Sequence, residues 1–364
     1  MVPSINEKDI NAVAEVLRTG MLVQGKHVAE LEKNMMLLTE TTNAMAVSNG
    51  TATLHLALLA SGIKQGDEVI VPAFSYIATA NVVEIVGAKP VFVDIEIDTF
   101  NINVSKIEAG ICSNTKAIIP VHEFGLACDI GKLMQLGAKH ELIVIEDAAC
   151  ALGATENEKP VGGFGNFGSF SLHPRKSVTS GEGGIVTTND DVAAHKIKVL
   201  RNHGIDPDKT SMEFIAAGLN YRLTEFQAAM VNSQMERLQQ IILYKQELAG
   251  IYMNELQHPL IKLPIIPIGK NHTWQTFHII LQQPVNRDKI IKELQKEGIG
   301  TNYGAQCIPE QKFYKEKYGL NSMVEFPNAY NSWKQGLAIP IYDKLTKEDV
   351  SYISKIIKKT IEKC

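Results

Sequence analysis

Several features that would define other classes of protein are scarce in this sequence. No apolar run approaches the roughly 18 residues that a membrane span requires. The polar first residues, MVPSINEKDINAV, differ from a basic segment followed by an apolar one. The five cysteines are scattered without a CxxC pair, which argues against a disulfide framework or a zinc site. A net charge of −4 gives no sign of a nucleic-acid or membrane-surface footprint. We therefore expect a cytoplasmic protein with no metal, nucleic-acid or membrane partner.

The remaining composition, 45% hydrophobic and 21% charged over 364 residues, is typical of a globular protein with a large core. Short Val/Ile runs alternate with helical stretches between about residues 44 and 235: EVIVP, KPVFVD, KAIIPV and LIVIED. Strands that are buried on both faces are typically continuous runs of this kind. The alternation predicts an α/β fold, a mostly parallel sheet sandwiched by helices.

The pattern changes after Arg222. A long helical segment leads into the Pro-rich stretch HPLIKLPIIPIGKN, which indicates a boundary. Beyond it, a strand at Thr276–Gln283 and helices at Arg287–Glu297 and Lys347–Glu362 predict a smaller C-terminal α+β domain. We divide the chain into a large domain of residues 1–240, whose N-terminal segment includes a helix near Glu7–Thr19, and a small domain of residues 241–364.

One motif invites a nucleotide-binding interpretation that its context disfavours. Gly163, Gly165 and Gly168 spell G-x-G-x-x-G. That fingerprint has meaning only directly after a strand and at the start of a helix. Here it follows the polar stretch ENEKPV and leads into an apparent strand, SFS. We interpret it as a glycine-rich turn.

Polar groups follow several of the predicted strands, where ligands of parallel sheets gather. The segment Ser48–Ala52 opens the helix TATLHLALL, so its N–H groups form either an anion site or an ordinary helix cap. Asp147 ends the strand LIVI, and Tyr76 lies just past another strand end. Taken singly, the acid and the aromatic could equally be a strand-end charge and a packing residue.

Lys176 lies in the cramped, polar segment GSFSLHPRKSVTSGEGG. Its amine could be surface charge, a phosphate clamp or a nucleophile. A helix N-terminus, a carboxylate, an aromatic face and a crowded lysine together are what pyridoxal 5'-phosphate requires. The lysine forms a Schiff base with this cofactor, and the carboxylate keeps the pyridine nitrogen protonated.

The chain resembles a known family, the DegT/StrS sugar aminotransferases among the fold type I pyridoxal-phosphate enzymes. The resemblance runs along nearly the whole chain in a series of blocks: GMLVQGKHVAELE, SNGTATLHLAL, GDEVIVPAFSYIATAN, KPVFVDIE, EDAACALGA, FSLHPRKSVTSGEGG, GLNYRLTEFQAAM and GIGTNYGAQCIP. Several blocks in this order make the match far more specific than any one of them.

The resemblance implies a role for each matching residue. Lys176 corresponds to the Schiff-base lysine and Asp147 to the partner of the pyridine nitrogen. Tyr76 corresponds to an aromatic that stacks on one ring face, and Ala149 to the small residue on the other. The phosphate is expected at Gly50, Thr51, Ala52 and Ser171, and at Asn220 of the neighbouring subunit. The resemblance therefore implies a homodimer with shared active sites. Arg222 and Tyr303 are further candidates for substrate contacts.

The chain departs from the family pattern in three places. Cys150 replaces a common glutamine near the cofactor hydroxyl, and Leu152 a common histidine. The usual His-Leu-Tyr-Gly is here HEFG, residues 122–125. The substrate-side His-Tyr-x-Pro becomes YGAQCIP, residues 303–309. His173 and Arg175 could act catalytically, but we interpret them as residues that shape the turn around Lys176.

The resemblance predicts an aminotransferase that moves an amino group, from glutamate, onto the keto carbon of a nucleotide-linked deoxysugar. Its product would enter surface polysaccharide or glycoconjugate synthesis. Two alternatives remain open at this point. A sugar dehydratase would use the same cofactor, although relatives of that type lack the lysine that this chain keeps. A non-enzymatic regulator would use the same fold, which the intact set of Lys176, Asp147, Ser171 and Asn220 disfavours.

Overall fold

The protein, described over residues 3–363 by a computed structural model, is built on a seven-stranded sheet. Six strands run in one direction, and only Gly184–Thr188 runs antiparallel to both of its neighbours. The predicted mostly parallel sheet is therefore confirmed. The spatial order of the strands is Asn43–Val47, Gly184–Thr188, Phe167–Ser171, Ile143–Asp147, Thr115–Ile118, Glu68–Pro72 and Lys89–Val93.

The strands are apolar on both faces because helices cover both faces. In the strand Glu68–Pro72, Val69 and Val71 pack into one core and Ile70 into another. This explains why the strand is a continuous apolar run without alternation. The helices of this part of the chain are Gly50–Ala60, Ala78–Ile85, Ile130–His140, Asp191–Arg201 and Glu225–Met235, with short 3-10 turns at Val104–Lys106, Glu108–Gly110 and Glu123–Gly125.

Two helices precede the first strand. Glu7–Thr19 is the predicted N-terminal helix, with Asn6 and Asp9 forming a capping box. The second, Lys26–Thr39, was not predicted. Its N-cap is Gly25, which has no side chain to cap it, and the carboxylate of Glu225 accepts the Gly25, His27 and Val28 N–H bonds instead. The cap of this helix thus comes from a residue about 200 positions away.

The C-terminal part contains a second, antiparallel sheet of three strands, Ile261–Lys262, Phe277–Leu281 and Gly336–Ile339. A separate core joins this sheet to the helices Leu238–Glu255, Arg287–Lys296 and Lys347–Lys363. Between these elements lie the helices Lys312–Tyr318, Ser322–Glu325 and Pro327–Gln335, and Tyr314, Phe326 and Ala329 of this segment pack into the core of the large sheet. The division at residue 240 stays a prediction, and the segment of residues 312–335 packs with the part that precedes it.

Short elements complete the description. A small sheet consists of Lys270–Asn271, Thr155–Glu156 and Lys159–Pro160, a two-stranded pair joins Gln306–Cys307 to Phe74–Ser75, and a 3-10 turn covers Ile308–Glu310. Across residues 3–363, every helix is too short or too polar to cross a bilayer.

The G-x-G-x-x-G segment is a turn, as predicted. It wraps around the buried carboxylate of Glu146, which accepts the N–H groups of Gly162, Phe164 and Gly165. A Cβ on Gly163 would lie 2.3 Å from the Thr39 carbonyl oxygen, so the glycine is required for close packing of the backbone. The N–H groups of Gly162, Phe164 and Gly165 are therefore already paired within the protein.

Candidate active site

The predicted site residues lie at the carboxyl end of the central sheet. Asp147 ends one strand, and Ser171 ends the neighbouring strand. Lys176 lies in the loop after Ser171, and Gly50 follows the edge strand Asn43–Val47. This edge is where ligands of open parallel sheets bind.

Lys176 is fixed in a tight turn. Its N–H donates to the His173 carbonyl over 2.8 Å, and the Arg175 N–H donates to His173 Nδ1 over 3.3 Å. The side chain of Gln275 donates to the Arg175 carbonyl from outside the loop. The His173 side chain and the Arg175 backbone take part in this turn, and the interpretation of both residues as shaping it stays a prediction.

The side-chain amine of Lys176 points into the site. Nζ donates to Cys150 Sγ over 3.0 Å. Burial lowers the pKa of Lys176, but Cys150, Asp147 and Glu123 outweigh burial and hold the pKa above its usual value. Burial also raises the pKa of the Cys150 thiol. The amine is therefore a cation beside a thiol and must lose a proton before it can act as a nucleophile.

Asp147 is held from two sides. The Thr79 hydroxyl donates to Oδ2 over 2.8 Å, and the Ala149 N–H donates to Oδ1 over 3.2 Å. Burial raises the pKa of Asp147, although both hydrogen bonds and the Lys176 amine oppose that rise. A cation placed against this carboxylate would favour its ionised form. Asp147 is thus an oriented, buried acid and not a solvated strand-end charge.

A small cradle forms beside Ser171. A Cβ on Gly50 would lie 2.8 Å from Ser171 Cβ and 3.1 Å from its Oγ, so the helix starting at Gly50 approaches Ser171 closely. The Asn49 side chain caps this helix by accepting the Ala52 N–H over 2.8 Å. The N–H groups of Gly50 and Thr51 are in the first turn and have no acceptor within the helix. Of the three predicted phosphate donors in this helix, Ala52 is therefore already occupied.

Tyr76 and Tyr303 are 62% and 49% exposed. Their segments are joined, because the strand Gln306–Cys307 pairs with Phe74–Ser75. The Tyr303 ring packs against the Arg287 guanidinium at 4.8 Å.

Asn220 and Arg222 lie on the segment beside the edge strand. The backbone of Asn220 pairs with Asn202, and its side chain is exposed. Arg222 pairs with Val47 and donates to Asn202 Oδ1 over 2.5 Å. The contacts of both residues within the chain are therefore with their local surroundings, and not with Lys176.

Several side chains of the site escaped sequence reasoning. Thr79 lies one helical turn after Tyr76, which is the only signal that could have found it. Glu123 lies in a turn a few residues after the strand Thr115–Ile118, and its departure from the family pattern was the available signal. Lys245 donates to Ser177 Oγ over 2.9 Å, and burial lowers the pKa of Lys245 to about 8. Nothing in the sequence pattern marks Lys245, the single lysine of the helix Leu238–Glu255, as part of the site.

Comparisons with known proteins agree with this geometry. The model of the DegT/DnrJ/EryC1/StrS aminotransferase family matches residues 3–358. GDP-perosamine synthase of Caulobacter vibrioides is 40% identical over 96% of this chain and 93% of its own. The spore coat polysaccharide biosynthesis protein SpsC of Bacillus subtilis is 32% identical over 99% and 96%.

Among solved structures, Spr1654 of Streptococcus pneumoniae, described as a sugar aminotransferase, superimposes with a TM-score of 0.94 in its PLP form. It is 29% identical, and the match covers 100% of this chain and 98% of that one. The same protein was also solved in a PMP form.

Fold, site and relatives define the class: a pyridoxal-phosphate-dependent enzyme that transfers amino groups to sugars. The chain belongs to the DegT/DnrJ/EryC1/StrS aminotransferase family. Its residues fit the cofactor, because a buried amine, an oriented carboxylate and a helix N-terminus beside a serine converge at one sheet edge.

Proposed function

We propose that this enzyme transfers the amino group of glutamate to the keto carbon of a nucleotide-linked deoxysugar. The observation that carries the proposal is that a buried lysine amine and a doubly held carboxylate, Lys176 and Asp147, lie within electrostatic range of each other. The relative named GDP-perosamine synthase supports a nucleotide-linked substrate. The product would enter polysaccharide or glycoconjugate synthesis, as the name of the spore coat relative suggests for that protein.

Bound pyridoxal phosphate would supply an aldehyde that condenses with amines and a ring that accepts electrons. Lys176 would hold the aldehyde end and, once released, would take the proton from the α-carbon of the amino-acid donor at Nζ. Asp147 would hold a proton on the ring nitrogen. Thr79 and the Ala149 N–H keep the carboxylate pointed for that task.

The remaining residues would bind and position the group. The Gly50 and Thr51 N–H groups and the Ser171 hydroxyl would hold the phosphate, because a helix N-terminus favours an anion. Ala52 would join them only by giving up its bond to Asn49. Tyr76 would cover one ring face and Ala149 would back the other.

We further propose a homodimer in which Asn220 binds the phosphate held by the partner's chain. Large exposed apolar side chains occur in the chain shortly before Asn220 and on the segment that pairs near it: Met212 is 74% exposed, Phe214 61% and Met21 69%. Val23, next in this group, pairs with Thr224. Contiguous exposed apolar side chains mark interaction surfaces. A second copy seated here would cover them and bring its own Asn220 towards the site.

The substrate assignment is tested by incubating the enzyme with glutamate and a panel of nucleotide-linked 3-keto and 4-keto sugars. We expect one sugar to gain an amino group by mass, with 2-oxoglutarate formed in equal amount. A Lys176→Ala variant is the matched control and should form neither product. Amination of the sugar with alanine as the donor and none with glutamate would refute glutamate as the donor.

A further inference from the structure

Glu123 is a buried acid that the proposed mechanism leaves without a task. It follows His122 just beyond the strand Thr115–Ile118, and its side chain is only 4% exposed. Its Oε2 atom has no hydrogen-bond partner within residues 3–363. The Glu123 N–H donates to Asn101 Oδ1 over 2.8 Å, which fixes the backbone of this turn. Buried polar atoms in native proteins are nearly always paired, so this one indicates a missing partner.

The surroundings of Glu123 are those of the active site. Its carboxyl makes a polar contact with Ser75 and lies within electrostatic range of Asp147, Lys176 and Cys150. These groups come from different strand ends and loops and lie close to one another. A molecule bound among these groups would supply the missing partner.

Glu123 holds a proton near neutral pH. Burial raises the pKa of Glu123 to about 8, and the nearby Asp147 carboxylate adds to the rise, while Ser75 and the Lys176 amine oppose it. In this form the carboxyl is a hydrogen-bond donor as well as an acceptor. Cys150, the other group in this corner, offers only a weak donor, and its sulfur already accepts from Lys176 Nζ.

The order of the strands tells which part of the cofactor meets Glu123. Ser171 and Gly50 lie on one side of the Asp147 strand, and Glu123 and Ser75 lie on the other. In pyridoxal phosphate, the ring nitrogen and the aldehyde lie at opposite ends of the ring. One edge between them carries the phosphate arm, and the other carries the ring hydroxyl. With the phosphate on the Ser171 side, the hydroxyl edge faces the side of Glu123.

We propose that the protonated carboxyl of Glu123 donates a hydrogen bond to the ring oxygen of pyridoxal phosphate. This inference rests on the proposed site, in which Lys176 and Asp147 hold the two ends of the ring. The bond stabilises negative charge on the ring oxygen. The ring oxygen then accepts a weaker hydrogen bond from the protonated nitrogen beside it. That nitrogen is Nζ of Lys176 when the cofactor is attached to the lysine.

The test is a pH titration of the visible absorption band of the cofactor-bound protein, with Glu123→Leu and Glu123→Gln beside the parent. Leu cannot donate a hydrogen bond, so the titration midpoint of the Glu123→Leu protein should rise by about one pH unit. This tenfold change matches the loss of one hydrogen bond to a charged group. Gln keeps an N–H donor at the same place, and its midpoint should stay within about 0.3 units of the parent.

Two outcomes overturn the inference: an unchanged midpoint in Glu123→Leu with the cofactor still bound, or equal shifts in both variants. A Glu123→Ala variant also lacks a donor and should shift the midpoint in the same direction, which keeps the test decisive should the Leu variant fold poorly. Borohydride reduction of the parent separates this inference from the proposed site. A label on Lys176 with no midpoint shift refutes Glu123 alone, whereas a label elsewhere refutes the site and Glu123 with it.

Discussion

The hydroxyl of Thr79 donates a hydrogen bond to Oδ2 of Asp147 over 2.8 Å. The two residues belong to a helix that begins at Ala78 and to the strand that ends at Asp147, and are separated by 68 positions in the chain. Thr79 is 1% exposed and Asp147 5% exposed, so water cannot replace this bond. This hydrogen bond holds the Asp147 carboxylate, at the end of its strand, in one orientation.

Replacing Thr79 by Val should weaken cofactor binding while the fold survives, because Val matches the shape of Thr and lacks the hydroxyl. A hydrogen bond to a charged group is worth about 1.5–3 kcal/mol, so we expect the dissociation constant of pyridoxal phosphate to rise about tenfold to a hundredfold. The Thr79→Ser variant keeps the hydroxyl and should remain within about threefold of the parent. Equal affinities of the Val and Ser variants would show that Thr79 only packs.

Asp147→Asn should remove most of the turnover without unfolding the protein. A neutral amide cannot stabilise a protonated ring nitrogen, and each ~1.4 kcal/mol of lost transition-state stabilisation lowers the rate tenfold. We expect a fall of at least about ten- to a hundredfold in kcat. Asp98→Asn makes the same chemical change at the surface and should stay within about twofold of the parent. Turnover of Asp147→Asn within about twofold of the parent would show that Asp147 has only a structural role.

The fold was predictable where local pattern and tertiary position agree. The strand Glu68–Pro72 is a run of apolar residues because both of its faces are buried, and its bounds were predicted to the residue. The helix Lys26–Thr39 escaped prediction because its cap, Glu225, is distant in sequence. Residues 312–335 pack on the large sheet even though they follow the start of the predicted small domain, since nothing local encodes that docking.

The candidate site likewise contains residues that the sequence predicts and residues that it does not. Lys176 and Asp147 could be found because strand ends of a parallel sheet meet at one edge and the family resemblance supplied their roles. Thr79, in the first turn of a helix, and Glu123, in a turn beyond a strand, lie beside residues that are distant in sequence, which spacing in the chain does not reveal. The occupied N–H of Ala52 likewise depends on the side-chain direction of Asn49.

Glu123 makes the stability of the cofactor-free protein depend on pH. Its pKa is raised from 4.5 to about 8, so the folded state keeps a proton that the unfolded chain releases above about pH 4.5. This contribution is present at low pH and is lost as pH rises towards the folded pKa. Relative to Glu123→Gln, the parent's free energy of unfolding should fall by up to about 1.4 kcal/mol per pH unit in this range.

Chemical denaturation of both apoproteins at about pH 5 and about pH 8 measures that difference. The Gln variant has no acid to titrate, so other groups cancel in the comparison. A constant stability difference between the two proteins across this range would mean that Glu123 is ionised in the folded protein.

The shared site is tested by mixing subunits. A Lys176→Ala chain paired with an Asn220→Ala chain places both defects in one site and leaves the other site intact. Purified heterodimers should recover up to about half of the parent's specific activity, while each variant homodimer stays weak at limiting cofactor. If both residues served the same subunit, every site would carry one defect. Heterodimers without recovered activity would therefore refute the shared site.

The most direct test of the account is to reduce the cofactor-bound protein with borohydride and map the labelled lysine by mass spectrometry. Lys245 is a sharp competitor, because it is buried near the same loop and its pKa is lowered to about 8. We predict a single label on Lys176, retained in Lys245→Ala and absent from Lys176→Ala. A label on Lys245, or on any lysine other than Lys176, would contradict the assignment of the active site.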